Sequence, residues 1–513
     1  MCEPGEDATQ VNWAEEFAST LAGVATAKTT QLFTLMGGLD STRGGRTRAV
    51  ISRQRALAVT FGTHLLTLVP QRNLYSEVQI VRQRGLLPGS TSVTPVVPAY
   101  VEINGGRSPH AVGVSHKGLL KSLPTAWSAV DAAMYRDLHT LPASARWLPV
   151  DQSIIRLRRV TSEYRGLSWI QITDAHRALS DILFSDNLNQ VLVIQRPPGS
   201  SYLSDTVRTT LYAPDGSART VTFPELCSEV ATFIASRCGD SVIISDVIGA
   251  DVIARKCRGR GIRKVLQFHG AGLGRLDTGD AFDAVVYPTL EQYWDSVERK
   301  LLPTSRHKWI PHYLQTPEGT SDSPSPASEP VVAYLGRMDA NKRVGHVLKA
   351  FAGVLKEVPT ARLRIYGKGP YQSRLERMVA ADTLLSEAVE FMGYTSDPLR
   401  ALADATVSVV TSKHEGFCLS LFESLSVGTP VVSYSFRYGP RDALRDGENG
   451  YLVDDGDVMG LRDGIVCILK KDSVELRRMH DESRDSVSTL NEERFLADWR
   501  ELLEGIAMPI DGV

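Results

Sequence analysis

The sequence has few cysteines, and none of them is grouped as in a zinc site or a disulfide framework. Six cysteines are scattered over 513 residues, and no two form a Cys-x-x-Cys pair. This usage favours a reducing, cytoplasmic location over a secreted, disulfide-stabilised protein. The first ten residues, MCEPGEDATQ, are polar and acidic, unlike a secretory signal peptide.

Long apolar runs and an excess of one charge are also missing. No run approaches the roughly 20 apolar residues that a membrane-spanning helix needs, so any membrane contact is expected to be peripheral. The net charge is −2, which gives no general attraction to nucleic acid. Composition therefore excludes a membrane-spanning protein and argues against a nucleic-acid-binding protein.

Apolar strands alternate with helices near both ends of the chain. QLFTLM, a glycine-rich loop, a helix and THLLTLVP predict a βαβ unit, and a second series begins at VVAYLGR. Alternation of this kind predicts an α/β fold with parallel, doubly wound sheets. A chain of 513 residues is too long for one ordinary domain, so two Rossmann-like domains are expected to face each other across a cleft.

Composition shifts place the predicted boundaries between these domains. The N-terminal domain covers residues 1–315, a Pro- and Ser-rich linker covers 316–330, and the C-terminal domain covers 331–487. An amphipathic helix covers 488–513, and the family resemblance described below implies that it crosses back to the N-terminal domain. Short strand-like runs, including TSVTPVVPAYVEING, SWIQITD and QVLVIQR, predict a β-rich insertion at about 70–235. Some helix is expected within it, near Ala126–Leu138.

Two strand ends in the C-terminal domain carry candidate ligand-binding residues. YLGRMDANKR places Arg337 and Lys342 in a loop directly after a strand. Two cations there suit a diphosphate, although a solvated basic loop would look the same. The glycines of IYGKGPY would let the backbone approach a ligand, or form an ordinary turn.

The segment SKHEGFCLSLFESLSVGTPVV predicts a loop and a helix after the strand ATVSVVTS. Free N–H groups around Phe417–Ser420 would form an anion site at the positive end of that helix. Glu415 could accept hydrogen bonds from sugar hydroxyls, and Glu423 could accept them from a ribose diol. Alternatively, Glu415 complements the helix dipole and Glu423 is a surface acid.

The order of these segments resembles the retaining family-4 glycosyltransferases of GT-B fold. GRMDANKR, YGKGP, FMGYTSD, the segment above and GENGYLV follow one another within about residues 331–455. The E-x7-E motif of that family matches Glu415 and Glu423. SYSFRYGPRDALRDGENGYLV looks like the subgroup of poly(glycerol-phosphate) α-glucosyltransferases and of enzymes that glycosylate serine-rich adhesins, which also carry a β-rich insertion.

The resemblance implies transfer of a hexose, with retention, from a nucleotide-sugar to a cell-wall phosphate polymer or a protein serine. The expected donor is a UDP-sugar. The implied catalytic residues are Glu415, His269, Arg337 and Lys342. The implied donor-binding residues are Glu423, Gly44, Gly45, Gly416, Phe417, Cys418, Leu419, Ser420 and Tyr394. Gly44 and Gly45 would also suit a plain strand–helix turn, and His269 could be structural.

No metal or other cofactor is expected, because Arg337, Lys342 and the helix N-terminus would stabilise charge on the leaving group. The one Asp-x-Asp triplet, in VDDGDV, lies past the motif region. An NDP-sugar epimerase or hydrolase on the same scaffold remains an alternative, as does a non-catalytic partner subunit of a glycosyltransferase. The intact set of Arg337, Lys342, Glu415 and Glu423 argues against the partner subunit.

Two basic runs are the remaining feature. Such runs usually form a solvated face. A more specific interpretation is that they bind an anionic acceptor or an anionic membrane surface. The first run lies on the first predicted helix, and the second lies at a helix end and the loop after it. They comprise Arg43, Arg46, Arg48, Arg53 and Arg55, and Arg255, Lys256, Arg258, Arg260, Arg263 and Lys264.

Overall fold

The protein is represented by a computed structural model that describes most of the chain. The described residues are 13–27, 29–39, 45–71, 73–105, 146–150, 153–160, 167–173, 179–185, 191–212, 218–246, 249–271, 281–300, 303, 306–315 and 329–507. The predicted helix near Ala126–Leu138, most of the predicted linker, and Gly44 lie outside these residues.

The chain divides into two compact units. The first combines Met1–Arg43 with Val50–Leu266, and the second combines Gly44–Ala49 with Gln267–Val513. The domain boundaries given above remain a prediction.

In the N-terminal part of the chain, a parallel sheet is flanked by helices. Five strands lie in the order β12-β11-β1-β2-β3, with parallel pairing throughout. The βαβ unit predicted from QLFTLM onward is confirmed. The strands are β1 (Gln31–Met36), β2 (Gly62–Thr67), β3 (Ser92–Pro95), β11 (Ser241–Ser245) and β12 (Ile262–Gln267), and the helices are α1 (Trp13–Thr26), α2 (Gly45–Leu57), α3 (Leu74–Gln83), α4 (Val96–Gly105), α5 (Phe223–Ala235) and α6 (Ala250–Lys256).

The β-rich insertion is a seven-stranded antiparallel sheet in which every strand pairs with its neighbour along the chain. The predicted β-rich insertion is therefore confirmed, and its bounds of about 70–235 remain a prediction. Its strands are β4 (Arg146–Val150), β5 (Ser153–Val160), β6 (Leu167–Thr173), β7 (Leu179–Ser185), β8 (Val191–Arg196), β9 (Arg208–Tyr212) and β10 (Ala218–Thr222).

The interpretation of TSVTPVVPAYVEING as a strand of the insertion is wrong. Ser92–Pro95 pairs in parallel with β2, and the chain then forms helix α4 from Val96. Pro98 lies in the first turn of this helix, where its missing N–H costs no hydrogen bond. The β-branched residues around it had suggested a continuous strand.

A second parallel sheet lies in the second unit, in the order β17-β16-β15-β18-β19-β20. β15, β18 and β19 are almost wholly buried, as expected for strands covered by helices on both faces. Two further strands, β13 (Ala284–Tyr287) and β14 (His307–Trp309), pair in parallel. The six strands of the second sheet are β15 (Val331–Leu335), β16 (Arg362–Tyr366), β17 (Val389–Gly393), β18 (Val407–Val410), β19 (Val431–Tyr434) and β20 (Gly450–Val453).

The helices of the second unit alternate with these strands, as predicted. They pack a core in which Val347, Phe351, Leu421 and Ile465 are fully buried. The helices are α7 (Leu290–Glu298), α8 (Val344–Glu357), α9 (Gln372–Ala380), α10 (Thr383–Ala388), α11 (Pro398–Ala403), α12 (Leu419–Ser426), α13 (Pro440–Ala443), α14 (Val458–Leu469), α15 (Ser473–Val487) and α16 (Glu492–Ala507). In the described part of the chain, no helix has both the length and the apolar character needed to cross a membrane.

The tail helix α16 buries the apolar stripe predicted for it. Phe495, Trp499, Leu502 and Leu503 are all buried. The Phe495 ring contacts Tyr313 at 5.1 Å between centroids, and the Arg494 guanidinium lies over Trp309. The helix therefore packs against residues just after β14, and these contacts fall within the second unit.

Deleting the chain from Leu490 is expected to destabilise the second unit by several kcal/mol. Each large apolar side chain that becomes exposed loses about 1.5–3 kcal/mol of burial free energy. Thermal unfolding and binding of a hydrophobic dye would measure the effect. A truncation after Ala507, which keeps α16 intact, is the control. Equal melting temperatures for the two truncated proteins would show that the tail packs on nothing.

The two basic runs do not form uniformly solvated faces. Arg53 is buried and forms a bidentate pair with Asp246. In the second run, Arg255, Lys256 and Arg263 form ion pairs with Asp251, Glu225 and Asp240, respectively. Part of the positive charge is therefore neutralised within the protein, which weakens the interpretation of these runs as a docking surface for an anionic acceptor or an anionic membrane.

Candidate functional site

Two loops meet at one edge of the second sheet because β15 and β18 are parallel neighbours. The loop after β15 carries Lys342, and the loop after β18 carries Glu415. The Thr411 hydroxyl donates to the Lys342 carbonyl at 2.7 Å, and the Asn341 amide donates to the His414 carbonyl at 3.0 Å. These hydrogen bonds hold the two loops in register.

Arg343 is the strongest link between the two loops. Its guanidinium donates to the carbonyls of Thr411 and Ser412, at 2.8 and 2.6 Å, and pairs with Asp455. It also lies over the Tyr434 ring, 4.8 Å from the centroid. Arg343 was not predicted from the sequence as a site residue. Its position directly after Lys342 was the available signal.

Lys342 and Glu415 form the ion pair at the centre of the site. Lys342 Nζ lies 2.7 Å from Glu415 Oε1, and each side chain is only 19% exposed. Burial opposes the charge on Lys342, but the Glu415 carboxylate and the nearby Cys418 and Tyr334 outweigh it, so the pKa of Lys342 is raised above its ordinary value. Lys342 therefore remains a cation at all physiological pH values.

Arg337, the other predicted cation, lies at the edge of this site. Its side chain is 72% exposed and pairs with Asp339 at 3.1 Å. The carbonyl of Arg337 accepts a hydrogen bond from the buried Tyr334 hydroxyl. An exposed guanidinium can turn toward an incoming anion, whereas Lys342 is held in place.

The glycines of IYGKGPY serve the neighbouring loop. Gly367 has φ +129°, and a Cβ there would lie 2.0 Å from the Gly336 carbonyl oxygen. A Cβ on Gly369 would lie 2.4 Å from the Met338 carbonyl oxygen. These glycines therefore let the loop between β15 and Lys342 approach their backbone closely. The sequence had suggested a close approach by a ligand instead.

Gly416 allows the Glu415 loop to approach His269 closely. A Cβ at position 416 would lie 2.1 Å from the His269 carbonyl oxygen. The His269 ring stacks on His312 at 5.3 Å between centroids, and His312 makes an edge contact with Phe417 at 5.0 Å. The predicted residues His269, Gly416 and Phe417 are therefore brought together, and His312 was missed.

Helix α12 begins as predicted, with its N-terminus beside Glu415. Cys418, the N-cap, has φ +71°, and no side chain caps the helix. In the described part of the chain, no hydrogen bond from the N–H groups of Phe417 to Ser420 to a protein acceptor is present. Because these four N–H groups make no such hydrogen bond, they can receive an anion. Leu419 itself packs on the core, and burial raises the pKa of the Cys418 thiol to about 12.

Glu423 is buried inside α12 and pairs with an arginine from a distant part of the sequence. Its side chain is 7% exposed, and it forms an ion pair with Arg48 of helix α2. Burial raises the pKa of Glu423, and the Arg48 charge opposes that rise. Glu423 is thus not a surface acid. Gly45 is the first residue of α2.

The segment Tyr438-Gly439-Pro440 connects the Glu415 loop to α7. The Glu415 N–H donates to the Arg437 carbonyl, and the Tyr438 N–H donates to the Glu415 carbonyl, both at 3.0 Å. The Tyr438 hydroxyl and the Arg437 guanidinium both contact Asp295 of α7. This motif therefore positions the backbone of Glu415.

Tyr394 is the predicted donor residue that the structure does not bring to this cluster. It follows β17, its side chain is exposed, and no hydrogen bond, ion pair or ring contact joins it to Glu415 or Glu423. Within the described residues, no group of three or more His, Cys, Asp or Glu side chains has the arrangement of a metal site.

A comparison with protein families matches residues 317–485 to the family described as "Glycosyl transferases group 1". Residues 317–485 are therefore similar to a glycosyl transferases group 1 domain. The resemblance drawn from the E-x7-E motif and its neighbouring segments is thereby confirmed. The family model covers the second sheet, Lys342, Glu415 and Glu423.

Two curated proteins that are similar to part of this chain have a polyol-phosphate polymer in their names. A poly(glycerol-phosphate) alpha-glucosyltransferase of Bacillus subtilis is 30% identical over 219 residues, which are 42% of this chain and 32% of that protein. A poly(ribitol-phosphate) alpha-N-acetylglucosaminyltransferase of Staphylococcus aureus is 28% identical over 175 residues, 34% of this chain and 35% of that protein. The matches span about a third of these relatives.

Solved structures share the fold over nearly the whole chain. TarM matches with a TM-score of 0.68 at 16% identity, over 93% of this chain and 99% of that one. The pneumococcal O-GlcNAc transferase GtfA, in complex with UDP and GlcNAc, matches with a TM-score of 0.61 at 13% identity, over 94% and 100%. The predicted GT-B fold class is confirmed.

Proposed function

We propose that the protein transfers a hexose, with retention of configuration, from a UDP-sugar to a hydroxyl of a polymer or protein acceptor. The observation that carries the proposal is the pairing of Lys342 with Glu415 beside the uncapped N-terminus of α12. A largely buried cation and a set of free N–H groups suit a diphosphate, and a carboxylate beside them suits sugar hydroxyls.

The reaction breaks the bond between the anomeric carbon and the diphosphate oxygen, which keeps the electron pair. The acceptor hydroxyl oxygen forms the new bond to the anomeric carbon and passes its proton to the departing diphosphate. Lys342 and the N–H groups of residues 417–420 would stabilise the negative charge that grows on the diphosphate. Groups fixed in advance at such a position are often the largest contribution to catalysis. Retention requires the acceptor to arrive on the face that the diphosphate leaves.

Glu415 would hold the transferred sugar through its hydroxyls. Its carboxylate is already fixed by Lys342, and its backbone is fixed by the two hydrogen bonds to residues 437 and 438. A carboxylate held on both sides loses little conformational entropy when a sugar binds.

Glu423 would accept hydrogen bonds from the ribose diol of the nucleotide. The ribose hydroxyls would then replace the Arg48 guanidinium, whose side chain is 43% exposed and so can move into solvent. A buried carboxylate needs a donor partner at each stage, and the exchange provides one before and after binding.

The names of the relatives support the donor and acceptor classes. Two of the curated relatives carry a polyol-phosphate polymer in their names, and solved structures of similar fold are described as complexes with UDP. A glycerol-phosphate polymer is therefore the first acceptor to try.

Sugar transfer is expected to survive excess EDTA. The developing charge on the diphosphate would be met by Lys342, Arg337 and backbone N–H groups, so the proposed chemistry needs no metal ion. The measurement is the transfer rate before and after chelation. A complete loss of activity that Mg²⁺ or Mn²⁺ restores would show that a metal ion takes part.

Incubating the protein with a panel of radiolabelled UDP-sugars, with and without poly(glycerol phosphate), tests the proposal. The expected result is labelled polymer that forms with one sugar and only when the acceptor is present. Release of free sugar without acceptor, or interconversion of one UDP-sugar into another, would favour a hydrolase or an epimerase. No reaction with any donor and acceptor would favour a non-catalytic subunit.

A further inference from the structure

We propose that Arg343 is a positioning residue that holds the loop with Lys342 and the loop with Glu415 at the spacing that the donor requires. The inference rests on the proposed function, in which Lys342 meets the diphosphate and Glu415 meets the transferred sugar. These two groups act on opposite sides of the bond that breaks, so their spacing has to match the donor. Arg343 would act through them and not on the donor itself.

The Arg343 guanidinium binds the chain just before Glu415. Its Nε and one terminal nitrogen donate to the carbonyls of Thr411 and Ser412, two buried residues directly after β18. A buried carbonyl that loses its donor costs free energy, so this part of the chain is held where the guanidinium lies. Glu415 follows Ser412 by three residues, which leaves only a short segment between the fixed point and the carboxylate.

The guanidinium is itself held by two further groups. It pairs with Asp455, which follows β20, and it lies over the ring of Tyr434, in β19. Tyr434 is fully buried, and its hydroxyl shares a hydrogen bond of 3.0 Å with His346 Nδ1 of α8. The Arg343 side chain is only 11% exposed. It therefore joins the ends of β18, β19 and β20 to the loop that carries Lys342.

The backbone conformation of Arg343 also favours a role for its side chain. Arg343 has φ +49° and ψ +39°, a left-handed conformation that glycine adopts readily and that costs free energy for a residue with a Cβ. Such a conformation persists where surrounding contacts hold it. A glycine would relieve the strain but would lose the guanidinium, so Arg343→Gly separates the side chain from the backbone.

Other hydrogen bonds also join the two loops, so loss of the guanidinium should misalign the loops and not release them. The Thr411 hydroxyl donates to the Lys342 carbonyl. The Asn341 carbonyl accepts from the Lys413 N–H at 2.8 Å, and the Asn341 amide donates to the His414 carbonyl. The expected effect of Arg343 is therefore on alignment, which transfer rates report more sensitively than folding does.

Arg343→Gly is expected to lower kcat about ten- to a hundredfold, because a misplacement of about 1 Å can cost that much. In a Lys342→Met background, the same replacement should cost much less, because Arg343 acts partly through Lys342. Full activity of Arg343→Gly, or an equal loss in both backgrounds, would overturn the proposal.

Arg362 is the matched control for a general loss of stability. It contacts the Glu387 carbonyl and the Glu329 carboxylate, so it binds the same kinds of group as Arg343. Arg362 is the first residue of β16, and it therefore lies at the edge of the parallel sheet opposite the site. Arg362→Gly should leave kcat unchanged. Equal losses of kcat in the two glycine variants would show that kcat follows stability, which would also overturn the proposal.

Amide hydrogen exchange of the ligand-free protein keeps this test separate from the proposed function. The Lys413 N–H donates to the other loop, so its exchange should be several-fold faster in Arg343→Gly than in the wild type or in Arg362→Gly. Unchanged exchange at Lys413 would contradict positioning whether or not the enzyme is active. A wild type that transfers no sugar, with the expected exchange in the variant, would refute the proposed function alone.

Discussion

Replacing Lys342 with methionine is expected to lower the rate of sugar transfer by about 10²–10³-fold, the usual loss when one fixed donor to developing charge is removed. Methionine fills similar space but carries no charge. Of Lys342 and Arg337, Lys342 has less freedom, since it is only 19% exposed and lies 2.7 Å from Glu415. Its contribution should grow as charge moves onto the diphosphate, so the loss should fall mainly on kcat. Steady-state kinetics with a UDP-sugar would measure it.

Two controls separate this loss from a loss of folding. Lys413 lies in the loop after β18 but is exposed, so Lys413→Ala should transfer sugar at the wild-type rate. Lys342→Met leaves Glu415 without its cation, which costs stability. The double variant Lys342→Met with Glu415→Gln should regain stability without regaining activity. Near-normal turnover of Lys342→Met would remove this lysine from the diphosphate site.

Replacing each glutamate of the E-x7-E motif with alanine is expected to change a different kinetic constant. Glu415→Ala should mainly lower kcat, because its contacts with the transferred sugar tighten as charge develops at the anomeric carbon. Glu423→Ala should mainly raise the donor KM, because the ribose is remote from the breaking bond and is bound equally in both states. Loss of Glu423 removes the ion-pair partner of Arg48 alone, and Arg48 is partly exposed and can be solvated by water.

Melting temperature, KM and kcat for both variants test this difference. If Glu415 only complements the helix dipole, its loss would cost about 0.3–1 kcal/mol of stability and leave the kinetics unchanged. Arg48→Ala is the matched control for Glu423→Ala, since it removes the same ion pair but keeps the carboxylate proposed to contact the ribose. Wild-type kinetics for both glutamate variants would contradict the assignment of the motif to the donor.

Local sequence pattern was enough to predict the second sheet and the centre of the site. β18 and β19 are short apolar runs bounded by polar residues, which are typical of buried parallel strands. Lys342 and Glu415 each follow such a strand. Because neighbouring parallel strands end at the same edge, both residues could be assigned to one site before their ion pair was seen.

Contacts between residues distant in the chain could not be predicted in this way. Arg48 and Glu423 are 375 positions apart, and nothing around Arg48 distinguishes it from the other arginines of its helix. His312 and Asp295 lie in segments without a motif. Strand β5 was missed because arginines interrupt its apolar pattern. Conversely, the apolar run at 92–105 was assigned to one element, although Pro98 fits the first turn of a helix.

Calorimetric titration of UDP into the wild type, Lys342→Met and Lys413→Ala tests whether a nucleoside diphosphate binds beside Lys342 and the N-terminus of α12. UDP is expected to bind the wild type and Lys413→Ala with equal affinity and Lys342→Met much more weakly, while uridine binds all three alike. Equal UDP affinity in all three proteins, or no binding to the wild type, would contradict it.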